Sequence, residues 1–233
     1  MRVLVGCEHS GAMRRAFRAL GHAAFSCDLL PPTDGDTRFH LQCDVRDLLD
    51  DDWDMGIFHP TCTYLTNSAA WAYGDGPYHQ RIKPGTLVGH ARRSAREEAV
   101  AFVRRLWAAP IPRIAIENPV GHLSRRFGKP TQVIQPWWFG DDASKATCLW
   151  LKNLPPLTAT RRIAPRMVDG RPRWANQTDS GQNRLSPTED RWALRATTYP
   201  GIAAAAAAQW GHLPMVADAP ALVPGDRQQE MSL

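Results

Sequence analysis

No run of apolar residues in the 233-residue chain reaches membrane-spanning length, so helical membrane spans are not expected. The opening Met1-Arg2-Val3-Leu4-Val5-Gly6 also lacks the basic, apolar, small-residue order of a secretory leader, and a cytoplasmic location is expected. Cysteine is sparse. Cys7, Cys27, Cys43, Cys62 and Cys148 are five in number, widely spaced and without a C-x-x-C pair, which argues against a disulfide framework and against a ribbon-type zinc site. Reduced thiols and no metal are expected. There is no internal repeat. What is present, 43% hydrophobic and 22% charged residues, can bury one good core, so one main domain is expected, with a monomer favoured.

Excess charge of one sign is modest overall, at +5, but it is concentrated. Between Lys152 and Arg195 stand nine basic residues (Lys152, Arg161, Arg162, Arg166, Arg171, Arg173, Arg184, Arg191, Arg195) against four acidic ones (Asp169, Asp179, Glu189, Asp190). Such a segment either neutralises phosphates or is a solvated loop, and charge by itself does not choose between them.

The β-branched run Arg2 to Gly6 reads as a strand, and Ser10-Gly11-Ala12 opens a helix with Met13, Phe17 and Leu20 inward and Arg14, Arg15 and Arg18 outward. Further strands are predicted over Ala23 to Cys27, Phe39 to Cys43, Trp53 to Phe58 and Arg113 to Ile116. They run into Asp28, Asp44, His59-Pro60-Thr61-Cys62 and Glu117-Asn118-Pro119. Gly89 to Ala108 is the clearest helix, with Ala95, Ala99, Phe102, Val103 and Leu106 on one face and arginines opposite. Two more strands, Thr131 to Ile134 and Ala146 to Leu151, flank the aromatic turn Pro136-Trp137-Trp138-Phe139-Gly140. Lys152 to Arg184 has no clear period and reads as irregular and partly mobile; Ser186-Pro187-Thr188-Glu189 is a helix start, Gly201 to Trp210 an alanine-rich helix, and the tail after Pro214 has little to pack.

Alternation of strands and helices at this spacing implies an α/β fold, a doubly wound and mostly parallel Rossmann-like sheet with a small irregular insert. Functional groups in such sheets gather at the carboxyl ends of the strands, so Asp28, Asp44, Cys62 and Glu117 are expected to face one crevice. A lone cysteine is more often inert packing than a nucleophile. Two strand-end motifs, one supplying a thiol and one a carboxylic acid, however, suit chemistry that adds a nucleophile to a ring while protonating it elsewhere.

At these residues the chain resembles the DNA cytosine-C5 methyltransferases, and more closely the small methylase-like proteins often seen in phage genomes. The family's Pro-Pro-Cys and Glu-Asn-Val motifs correspond to Pro60-Thr61-Cys62 and Glu117-Asn118-Pro119, in the same order. Val5 to Gly11 stands where its Gly-rich loop lies, and Phe139-Gly140 through Lys145 with Cys148-Leu149-Trp150-Leu151 resembles its basic motif and following strand. Arg184 to Glu189, Tyr199-Pro200-Gly201 and Trp210-Gly211-His212 resemble the elements that close the family's catalytic domain.

The resemblance implies S-adenosylmethionine as cofactor, held by Gly6, Cys7, Glu8, Ser10 and Gly11, by Asp28 and Leu29 at the ribose, by Asp44 and Val45 at the adenine, and by His59 and Pro60. It implies Cys62, Glu117, Asn118 and Lys145 as catalytic residues, with Cys62 adding to carbon 6 of cytosine and Glu117 donating to ring nitrogen 3. DNA, duplex or single-stranded, is the implied partner through segment 152–195, and Trp137, Trp138 or Tyr64 could stack on an extruded base; core packing is favoured for at least one tryptophan. The implied organisation is a catalytic domain over 1–151, a target-recognition-like segment over 152–198, a closing helix over 199–214 and a tail over 215–233. With so short a recognition segment, weak sequence specificity is expected. The alternatives are modification of a free cytosine nucleotide and a catalytically silent nucleic-acid-binding protein of the same fold. A zinc deaminase lacks its second cysteine here.

Overall fold

Runs that are apolar at every position, such as Val3-Leu4-Val5 and Met55-Gly56-Ile57-Phe58, suit strands covered on both faces, the strands of parallel sheets. The computed structural model describes residues 1–185 and 197–214, and these runs lie at the centre of a seven-stranded sheet ordered β3-β2-β1-β4-β5-β7-β6. Strands β1 (Arg2–Gly6), β2 (Ala23–Asp28), β3 (His40–Gln42), β4 (Met55–Phe58) and β5 (Arg113–Pro119) run parallel. Strand β7 (Thr147–Lys152) is antiparallel to both of its neighbours, β5 and β6 (Gln132–Ile134). The chain therefore has the doubly wound, mostly parallel, Rossmann-like α/β fold that its periodicity implies.

Side-chain alternation assigns the two layers. Val3, Val5, Met55, Ile57 and Ala115 face helices α1 (Ala12–Ala19) and α4 (Pro200–Trp210), whereas Leu4, Phe58, Ile114 and Ile116 face α2 (Gly89–Ala108); a single turn, α3 (Leu123–Arg126), follows β5. The buried alanines of α4 leave little bulk between it and α1, and Trp210, wholly buried, donates its indole N–H to the Pro155 carbonyl at 3.0 Å. Helix α4 begins where the Gly201 N–H meets Asp141 Oδ2 at 3.0 Å.

The structure corrects four expectations. Arg14 is wholly buried, because its guanidinium binds Ser26 Oγ at 2.8 Å and pairs with Asp34, tying the loop after β2 to α1. Leu20, at the end of α1, is 44% exposed, since the helix stops before that position turns inward. Arg92 is buried under the rings of Tyr64 and Tyr73, and Arg96 is half-buried over Tyr73, instead of facing water with Arg93, Arg104 and Arg105. Lys152 to Arg184 is not irregular throughout: it contains a hairpin of β8 (Arg166–Val168) and β9 (Arg171–Arg173). The Ser186 helix start, Arg191, Arg195 and the tail 215–233 lie outside the described residues.

Candidate active site

Beyond the carboxyl ends of β1, β2 and β3 opens a cavity of about 430 Å³, the size of a small-molecule site. Cys7, Asp28, Leu29, Asp44 and Val45 line it from the sheet, Phe102 from α2, and Thr61 and Tyr64 from the loop that carries Cys62. Asp28 accepts the Leu30 N–H on Oδ1 at 2.9 Å, leaving Oδ2 turned to no described donor. Asp44 is more committed. It accepts the Arg46 backbone N–H at 2.9 Å and both oxygens take hydrogen bonds from the Arg46 guanidinium, which draws its carboxyl down to about 2. Burial, followed by the charges of Asp28 and Asp44, pushes the Cys7 thiol up to about 12, so it stays protonated.

The loop between β1 and α1 serves the fold as much as the cavity. Glu8, 4% exposed, accepts the Met13 N–H at 2.8 Å and the Ser10 hydroxyl at 3.1 Å, with the Arg14 N–H at 3.4 Å, and so caps α1 with its own carboxylate. A phosphate cannot share those amides, so this turn is closed to dinucleotide-type binding. Gly11 sits at φ +66°, and Gly6 admits no side chain because a Cβ would lie 2.6 Å from both Phe58 and Val45. Both glycines are required by backbone and packing, whatever occupies the cavity.

Cys62 is half-buried in a turn whose carbonyl accepts the Leu65 and Thr66 N–H groups at 2.9 and 3.0 Å. That turn is clamped from two sides. The Asn118 amide of β5, 1% exposed, donates to the Pro60 carbonyl at 2.9 Å. From α2, Arg96 donates to the Tyr64 carbonyl at 2.9 Å and covers the Tyr73 ring, whose hydroxyl reaches the same carbonyl at 2.9 Å. Asn118 thus holds the cysteine loop against β5, while its neighbour Glu117 points to the opposite face of the sheet.

Glu117 lines a second, smaller cavity of about 20 Å³, room for a single water, together with His59, Lys145, Thr147 and Tyr199. His59 Nδ1 lies 3.5 Å from Glu117 Oε2. Burial works to raise the Glu117 carboxyl, yet the contact with His59 and the positive charge of Lys145 hold it below the ordinary carboxylate value. Burial also pushes up the Cys148 thiol on the neighbouring strand, with the Glu117 charge adding to the effect.

The four strand-end residues therefore do not face one crevice. Asp28 and Asp44 share the outer cavity, Glu117 looks into the inner one, and Cys62 sits on the loop between them. Of the expected cofactor residues, Cys7, Asp28, Leu29, Asp44 and Val45 line the outer cavity. Glu8 and Ser10 cap α1, His59 belongs with Glu117, and Pro60 with Asn118.

Among solved structures, the chain is similar to the Dnmt2 methyltransferase of S. pombe, at 14% identity and a TM-score of 0.41, over 67% of this chain and 51% of that one. It is also similar to a DNMT2 triple mutant from Spodoptera frugiperda, at 13% identity and a TM-score of 0.33, over 74% of this chain and 57% of that one. The chain thus spans little more than half the length of either. No family model and no curated protein matches the sequence.

Three features of the site were not legible in the sequence. The pairing of His59 with Glu117 crosses from β4 to β5, and the Arg92, Arg96 and Tyr73 clamp crosses from α2 to the cysteine loop. The third is the use made of the basic segment. Arg166 and Arg184 donate to the Gln177 carbonyl at 2.9 and 2.8 Å, Arg173 to the Asp179 carbonyl at 2.9 Å, and Arg166 pairs with Asp179 at 2.6 Å. Lys152 reaches back to the Ala109 carbonyl at 3.2 Å, at the end of α2. Much of the local cationic excess is therefore engaged in holding turns together. Among the described residues no helix is long and apolar enough to cross a membrane, and no group of His, Cys, Asp and Glu could hold a metal ion.

Proposed function

We propose that the chain transfers a methyl group from S-adenosylmethionine to carbon 5 of cytosine in DNA, with weak sequence specificity. The observation that carries this reading is the Asn118 to Pro60 hydrogen bond, which fixes the Cys62 loop beside the strand that bears Glu117. It ties the thiol-bearing loop to the strand end that bears the carboxyl group, and the reading requires the inner cavity, which now has room for a single water, to open toward Cys62 when a base binds.

The outer cavity fits the cofactor. Asp28 offers an open carboxylate oxygen suited to ribose hydroxyls, Val45 and Phe102 offer apolar walls for a purine, and Glu8 bars a phosphate from the turn. When bound, the cofactor supplies an electrophilic methyl group. The Cys62 thiolate then adds to carbon 6 of the ring, and Glu117 delivers a proton to nitrogen 3, which makes carbon 5 electron-rich; after methyl transfer, loss of the carbon 5 proton to solvent restores the ring double bond and expels the Cys62 sulfur. Lys145 supports the charge around Glu117. The Cys7, Cys27 and Cys148 thiols are all pushed up by burial, so they do not compete with Cys62 as nucleophiles. Segment 152–195 contributes the phosphate contacts through the arginines not engaged internally, Arg171 foremost.

The test is intact-mass measurement of the protein incubated with S-adenosylmethionine and oligonucleotides carrying 5-fluorocytosine, which cannot lose the group at carbon 5. Wild type should gain the mass of the strand plus a methyl group, and Cys62→Ser should gain nothing. Absence of an adduct with both duplex and single-stranded DNA would overturn the reading.

A further inference from the structure

We propose that His59 is the proton carrier for Glu117, handing its Nδ1 proton to Oε2 when a base is bound and taking it back as the base leaves. The inference rests on the reading of Glu117 as the acid that meets cytosine, and it assigns to His59 a role distinct from holding the cofactor.

The geometry is specific. His59 follows β4 directly, its backbone N–H is anchored on the Gly6 carbonyl at 3.0 Å, and its side chain is only 9% exposed. Among the described residues neither ring nitrogen meets a hydrogen-bond partner at close range, and Nδ1 lies 3.5 Å from Glu117 Oε2. An imidazole placed among Met13, Ile57 and Leu149 without partners costs free energy that packing alone does not return. The groups facing it are Glu117 from β5, Lys145 and Thr147 around the start of β7, and Tyr199 ahead of α4. Glu117 alone among them is a carboxylate.

A carrier is needed because Glu117 rests as a carboxylate, held there by its cationic neighbours, and a carboxylate cannot donate. In the transfer the Nδ1–H bond breaks and the Oε2–H bond forms, leaving neutral imidazole and a neutral acid. The acid O–H then breaks as nitrogen 3 takes the proton on its lone pair. Release of the base reverses both steps, so the pair ends as it began and no other reactant is consumed.

Two measurements on the full chain test this. The nitrogen-15 signals of the His59 ring, recorded at one fixed pH, should differ between Glu117→Gln and wild type, because Nδ1 loses its carboxylate partner. Identical His59 ring signals in the two proteins would overturn the proposal without touching the cytosine reading. The rate of adduct formation with 5-fluorocytosine DNA should fall at least tenfold in His59→Asn above neutral pH and recover toward wild type as pH is lowered, because solvent can then protonate Glu117 directly. A uniform loss at every pH would mark His59 as merely structural and overturn the proposal. A His59 ring signal that depends on Glu117, in a wild-type protein that forms no adduct, would instead overturn the cytosine reading and leave the proton pair standing.

Discussion

Trp174 stacks on Trp137, with ring centroids 5.3 Å apart and planes within 20° of parallel. Around this contact Asn176 exchanges hydrogen bonds with the Ser144 backbone at 2.9 and 3.0 Å, and the Ala175 N–H meets Asp142 at 3.0 Å. The hairpin of β8 and β9 is therefore docked on the loop that leads to Lys145, and Trp137 is engaged in that docking. Trp138 packs on the core formed with α1 and α4.

Trp174→Ala should release this docking. Loss of a half-buried indole and its stacked partner costs roughly 2 kcal/mol, so the melting temperature should fall by several degrees. Amide exchange over residues 160–184 should rise while exchange over β1 to β5 stays slow. Equal protection of residues 160–184 in the two proteins would show that the hairpin is held by other contacts.

Asn118→Ala leaves the Pro60 carbonyl without its donor in a buried site, a cost of about 1–3 kcal/mol. Cofactor affinity should be little changed, because Asn118 does not line the outer cavity. Adduct formation at Cys62 should slow by roughly a hundredfold, the penalty of a misplaced reacting group. Calorimetry with S-adenosylmethionine and the adduct rate, measured on the same preparation, separate the two effects.

Asp28→Ala should weaken S-adenosylmethionine binding roughly tenfold, the effect of leaving a buried hydroxyl unpaired. Among the described residues the Asp28 side chain accepts one hydrogen bond, from the turn at Leu30, so unfolding in urea should shift little. Unchanged calorimetric affinity would remove Asp28 from the cofactor site.

Asp44 bears on acid stability. Hydrogen bonds from Arg46 depress its carboxyl to about 2, so the folded state holds the ionised form more strongly than the unfolded chain does. The resulting stability is complete above the ordinary carboxylate range, near pH ~4, and is lost as pH falls toward about 2. In Asp44→Asn the urea midpoint should therefore decline less steeply over that interval. High salt should narrow the difference, because Arg46 is 52% exposed. Identical pH profiles would show that the pair contributes nothing to stability.

The sequence by itself determined the sheet and its chemistry-bearing strand ends. Uninterrupted apolar runs at Val3-Leu4-Val5, Met55 to Phe58 and Ile114-Ala115-Ile116, too short for helices and closed by Gly, Pro and Asp, suit strands buried on both faces. The spacing of apolar residues in Gly89 to Ala108 likewise leaves one face for the core. Only the tertiary structure decided how the strand ends are shared out. Side chains alternate across a sheet, so Glu117 and Asn118, adjacent in sequence, serve opposite faces, one beside His59 and the other beneath Cys62. The tertiary structure also turned Glu8 and Arg14 inward, since a helix end and a buried loop need partners that residue spacing does not announce. The arginines of segment 152–185 were legible as charge, but whether each meets a carbonyl of its own chain or is left to a phosphate depends on contacts between residues far apart in sequence.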